Sequence, residues 1–209
     1  MIEPALPIAL ALGAVSGFRH AFEPDHVVAV STLVDGSPRL GRSFRLGLSW
    51  GAGHTTTLVL GVLLVGLLKL PVSDATLGWF ELPVGVMLVG LGLWSIRDAI
   101  VGPPSSEASD RTHARREGWG GYAVGLVHGL AGSGALLLLA AATLPSLAAG
   151  VGYALLFGLG SVIGMGIVTI ALAVPFRAAK ARPGLFRTLM GIAGALSIAL
   201  GGLLLTEIF

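Results

Sequence analysis

Four of the five histidines, His20, His26, His54 and His128, lie in apolar stretches, and only His113 lies in a polar one. Arg19, Glu23 and Asp25 share the stretch that holds the first two. An ionisable group at the centre of a membrane helix costs about 2.5–3.5 kcal/mol on insertion scales, so such a group marks a pathway or a partner. Imidazole with carboxylate suits nickel, cobalt, zinc or iron, whereas Cu(I) wants thiolate and calcium a cage of oxygens. The chain has no cysteine, which excludes disulfides, thiolate sites and thiol relays. His20 and His26 are six residues apart and point about 120° away from each other on an ideal helix. Pro24 cannot donate to the carbonyl of His20. The spacing therefore predicts a kink or opening there that brings His20, Asp25 and His26 to one centre, with His54 as the ligand from a neighbouring helix.

The elements that carry these residues must live in lipid. Of 209 residues, 54% are hydrophobic and 11% charged, against about 25% charged in a soluble domain; the mean hydropathy is +0.88. Gly numbers 32, as expected where helix backbones approach closely in a membrane. A net charge of +2 invites a nucleic-acid reading, but the basic residues sit in short connections, so no nucleic acid is expected. No Lys or Arg precedes Arg19, so the apolar start lacks the basic region of a cleaved signal peptide and reads as the first helix.

Stretches of roughly 20 apolar residues can span a bilayer. Six are predicted, at about 5–34, 46–70, 77–100, 119–144, 147–174 and 185–208, with Pro4, Pro7, Pro71, Pro145, Pro175 and Pro183 near their ends. Residues 102–118 are the one long polar stretch, read as a cytoplasmic linker between a first three-helix unit, 1–101, and a second, 119–209. Eleven of the 13 Lys and Arg fall beside three connections: Arg39, Arg42 and Arg45; Arg97, Arg111, Arg115 and Arg116; Arg177, Lys180, Arg182 and Arg187. The positive-inside rule places these in the cytoplasm and both termini outside. Trp79 and Trp119, near helix ends, read as interface anchors.

The two units repeat one another. GFRHAFEPDHVVAVSTL from Gly17 matches GLVHGLAGSGALLLLAAATL from Gly125, and WGAGHTTT from Trp50 matches FGLGSVIG from Phe157. His20 then pairs with His128, Asp25 with Ser133, and His54 with Ser161. Three helices per unit is an odd number, so the units run in opposite senses. The expected fold is an all-α integral membrane protein of six transmembrane helices in two inverted three-helix repeats, N-out and C-out. Secondary transporters of this plan bind substrate near the midplane, where the repeats meet.

RHAFEPDHV from Arg19, AGHTTTLV from Ala52 and GLVHGLAGSGAL from Gly125 resemble the motifs of the nickel/cobalt transporter family, most of all its short urease-accessory nickel permease branch. The resemblance implies a permease, not an enzyme, and metal selection by His20, Asp25, His26 and His54. His128, Ser133, Glu23 and Arg19 are further pathway candidates. Glu23 and Pro24 stand where that family commonly has Asp and Ala. Gly132, Ser133 and Gly134 replace the acidic motif of its longer members. The cargo implied is Ni(II) first and Co(II) second, taken up across the inner membrane, with no organic cofactor. A homo-oligomer, and a urease or hydrogenase maturation pathway downstream, complete the expected partners.

Blander readings stand beside these. His54 and His128 also suit interhelical hydrogen bonding, Arg19 and Glu23, four apart, can neutralise each other, and Ser133 and Ser161 suit close packing. An exporter of a small anion or organic solute on the same scaffold would use Arg19 and the positive helix ends. An intramembrane metalloenzyme would activate a metal-bound water through Asp25 or Glu23, though the chain lacks the H-E-x-x-H motif of zinc proteases.

Overall fold

A computed structural model describes residues 5–34, 39–69, 74–101, 116–129 and 143–208. The elements are α1 (Ala5–His20), α2 (Pro24–Leu33), α3 (Leu40–Leu68), α4 (Asp74–Val101), a single π-helical turn (Arg116–Gly120) running into α5 (Gly121–His128), α6 (Leu147–Ala179) and α7 (Pro183–Ile208). Among the described residues, four stretches are long and apolar enough to cross a membrane: Leu40–Leu68, Trp79–Val101, Leu147–Ala179 and Pro183–Glu207. The chain is a multi-pass helical membrane protein.

The helices face outward with their apolar side. On α6, Leu155, Leu159, Ile163 and Ile167 recur every four residues and are exposed, as are Ile8, Leu12 and Val15 of α1. A stripe of this kind is what lipid solvates. The opposite faces carry small residues and pack backbone to backbone. The α6 helix is central and packs against both α1 and α3. It runs parallel to α1, with Gly13 against Tyr153, Gly17 against Phe157 and Gly164 against Ala21. It runs antiparallel to α3, with Gly47 against Met165 and Gly51 against Val162. The short α5 runs parallel to α3, with Gly125 against Trp50 and Gly129 against His54.

A second antiparallel pair, α4 and α7, lies beside these. A methyl at Gly92 would come within 2.6 Å of the Gly194 carbonyl oxygen, and one at Gly194 within 2.7 Å of the Gly92 carbonyl. The Ser95 hydroxyl donates to the Met190 carbonyl at 2.9 Å and the Ser197 hydroxyl to the Leu88 carbonyl at 2.7 Å. Both links satisfy a buried hydroxyl where no water is available. Ala29, Val30, Trp50, Leu88, Met165, Phe176 and Met190 join α2, α3, α4, α6 and α7 in one core.

Several expectations need correction. The first predicted span is two helices of 16 and 10 residues with Ala21–Glu23 between them. Of the predicted helix 119–144, residues 121–128 are α-helical and 143–146 are turn and bend; residues 130–142 lie outside the described residues. Residues 116–118, assigned to the linker, belong to the π turn; residues 102–115 of it lie outside the described residues. Pro175 does not end α6 but sits inside it. A proline removes one hydrogen bond and crowds one carbonyl. The packing of Phe176 and Ala179, both buried, carries the helix past it. The α3 helix begins at Leu40 rather than 46, because Arg42 and Arg45 extend it beyond its apolar part.

Candidate metal centre

The break between α1 and α2 follows from Pro24, the first residue of α2. Without an amide hydrogen at Pro24, the His20 carbonyl has no partner four residues on. The Glu23 amide takes it instead at 3.0 Å, and the Phe22 amide takes the Arg19 carbonyl at 3.0 Å. Glu23 is extended (φ −63°, ψ 148°) at the N-cap and makes no side-chain capping bond. Its carboxylate lies 3.0 Å from His20 Nδ1. The three-residue turn swings two rings together that a regular helix would separate, and the His20 and His26 centroids are 4.2 Å apart.

The α3 helix supplies His54 and, one turn earlier, Trp50. His54 Nε2 is 2.9 Å from His20 Nε2. The Trp50 ring stacks on His26 with centroids 5.3 Å apart and planes 28° apart. His128, the last residue of α5, places its Nε2 2.7 Å from Asp25 Oδ2. The other Asp25 oxygen is 3.1 Å from His26 Nδ1. The His26 and His128 rings are 4.2 Å apart. All four imidazoles are buried, the most accessible at 2%.

Among the described residues, His26 Nε2, His54 Nδ1, His128 Nδ1 and Trp50 Nε1 are buried with no hydrogen-bond partner. A buried, unsatisfied polar atom costs about 1–3 kcal/mol, and each calls for an explanation, a bound ion being one. Among the described residues, two groups have the proximity to hold a metal ion: His20, His26 and His54, and Asp25, His26 and His128. Asp25 accepts from two rings at once and so fixes their orientation, as a carboxylate does behind a metal-bound histidine.

The structure thus brings together His20, Glu23, Asp25, His26, His54 and His128. Arg19 is exposed. Ser133 lies outside the described residues. Ser161, which the repeat pairs with His54, is buried and donates its hydroxyl to the Gly17 carbonyl at 3.0 Å, a packing link between α6 and α1. The aromatic partners went unnoticed in the sequence: Trp50, and Phe157, whose ring is 5.3 Å from His20. A signal for Trp50 was present, because it stands four residues before His54 and so on the same helix face.

The urease accessory protein UreH of Bacillus sp. (strain TB-90) is 34% identical over 200 residues, covering 92% of this chain and 88% of the relative. The chain belongs to the UreH family. Two chloroplast proteins of Arabidopsis thaliana, FOR GROWTH AND FERTILITY 2 and 1, are each 29% identical to it over 204 and 215 residues. This UreH-family chain spans only 54% and 59% of their lengths. No protein-family profile and no solved structure matches it.

Proposed function

We propose that this UreH-family chain carries a divalent transition-metal ion, nickel first and cobalt second, across the cytoplasmic (inner) membrane, and that the net direction is uptake. The observation that carries the reading is the buried cluster of four imidazoles around Asp25, three of them with an unpartnered nitrogen. Neutral imidazole and carboxylate without thiolate suit Ni(II) and Co(II). His20 Nε2 and His54 Nε2, 2.9 Å apart, are close enough to ligate one ion.

An inverted repeat is supported by contacts that exchange. A methyl at Gly17 would overlap the Phe157 carbonyl, and one at Gly125 the Trp50 carbonyl; the repeat pairs Gly17 with Gly125 and Trp50 with Phe157. Likewise Gly160 abuts Ala14 and Gly53 abuts Tyr122. The Phe157 ring faces His20 as the Trp50 ring faces His128. On this plan an ion trades its waters for His20, His26, His54 and Asp25 near the midplane, and the units rock to open the other side. The urease accessory relative favours uptake toward a nickel enzyme's maturation. The anion-exporter reading relied on Arg19, which is exposed.

The test is flux of radioactive nickel into vesicles reconstituted with the purified chain. Saturable uptake, inhibited by cobalt and lowered at least tenfold in His20→Ala, is expected. Uptake no faster than into protein-free vesicles, from a chain shown to be folded, would end the proposal.

A further inference from the structure

The cluster divides into two sets of ligands. His20, His26 and His54 can each bring one nitrogen within 4.8 Å of the others, and Asp25, His26 and His128 can do the same with one ligand atom each. His26 belongs to both. Its ring lies 4.2 Å from that of His20 and 4.2 Å from that of His128. A neutral imidazole has one lone pair for a metal and a hydrogen on its other nitrogen, so His26 can serve one cation at a time. We infer that the cluster forms two alternating stations for a single divalent transition-metal ion, one of three imidazoles and one of two imidazoles with the Asp25 carboxylate, and that His26 is the ligand the ion keeps as it passes between them.

The inference rests on the transport reading above and deepens it. In the first station His26 uses Nε2, the nitrogen with no partner, while Nδ1 stays on Asp25 at 3.1 Å. Asp25 then orients a ligand without being one. In the second station the ion replaces the hydrogens that lie between Asp25 and its two histidines, His26 Nδ1 and His128 Nε2. Each imidazole stays neutral with its hydrogen on the other nitrogen, so neither station needs a net gain or loss of protons. His128 Nδ1 has no partner and is free to carry that hydrogen.

The two stations also differ in where their ligands come from. His20, His26 and His54 all precede residue 102, whereas His128 stands on α5, beyond the polar linker. Motion of one unit against the other leaves the first station whole and takes the second apart. The second station therefore exists only while α5 keeps its place on α3, with His128 against Asp25, and an ion held there has a ligand from each side of the moving boundary.

Cobalt titration of the purified chain, read by ligand-field absorption and X-ray absorption, tests this. Wild type is expected to bind one Co(II). His54→Ala should still bind one, with at most two imidazoles beside the Asp25 carboxylate, and His128→Ala should bind one with three imidazoles and only water completing the shell. Each of these should lose no more than about 100-fold in affinity, and His26→Ala at least tenfold more than either. The Asn variants at positions 54 and 128, which keep a polar side chain in the same space, are read in the same way should an Ala variant not fold. Identical spectra from the position-54 and position-128 variants, two ions per wild-type chain, or loss of binding in either folded variant would overturn the two stations. Those results leave the transport reading intact. A wild-type chain that binds neither cobalt nor nickel would overturn both.

Discussion

Asp25→Asn is expected to lower saturable nickel flux by about 10–100-fold, the range seen when the carboxylate behind a metal-bound histidine is removed. An ionised carboxylate only accepts hydrogen bonds, and both oxygens of Asp25 face ring nitrogens, at 3.1 Å for His26 and 2.7 Å for His128. The shorter of these is a charge-assisted bond. An amide of the same shape has one accepting oxygen and one donating nitrogen. One of the two rings must then present a bare nitrogen to the hydrogens of the new amide; where that ring is His26, its own hydrogen moves onto Nε2, the atom with no other partner that would bind metal. The change is chemical rather than steric, so the helices should keep their packing and the variant should purify as the wild type does. Flux in vesicles, with nickel affinity measured alongside, reads the effect. Wild-type flux in Asp25→Asn would reduce Asp25 to a packing residue.

The second large effect concerns residues that do no chemistry. Gly17→Ala and Gly125→Ala should each destabilise the folded chain by about 1–3 kcal/mol, the usual cost of forcing extra carbon into a filled space. At each position the new methyl would overlap a backbone carbonyl, that of Phe157 or that of Trp50, and a carbonyl within a helix cannot step aside as a side-chain tip can. The helices must part, and each glycine stands three residues before a site histidine, His20 or His128. Both variants should therefore lose flux with every imidazole still in the chain. Thermal unfolding in detergent, followed by helicity, gives the stability term. Gly90→Ala and Gly191→Ala are the controls. Nothing lies within 4 Å of a methyl at either position, and Ala is the better helix former by about 1 kcal/mol, so these two should be neutral or stabilising.

The uninterrupted helices were legible because length and apolar composition are local properties. Leu40–Leu68 and Leu147–Ala179 would be recognised in any order of residues as apolar. Their ends were less legible. Arg42 and Arg45 read as connection but are helical, and Pro175 read as a stop but is held inside α6 by neighbours far away in sequence. The break at Ala21–Glu23 was legible, since Pro24 and the two histidines flanking it conflict with a single regular helix. The partnership of His128 with Asp25 was not, because the two are 103 residues apart and only the faint repeat links their helices. Nor could spacing show that Glu23 turns to His20 when its four-residue offset from Arg19 offers an equally good surface pair.

Trp50 gives the chain an optical property of its own. Trp79, Trp94 and Trp119 are exposed, at 61%, 38% and 80%, whereas Trp50 is fully buried against the His26 ring. Its emission should be the bluest of the four, and it is the indole nearest any ion that reaches His26. Open-shell ions such as Ni(II) and Co(II) quench fluorescence at such short range. Saturable quenching of the blue edge on adding nickel, absent in Trp50→Phe, would let occupancy be followed in real time without label or isotope.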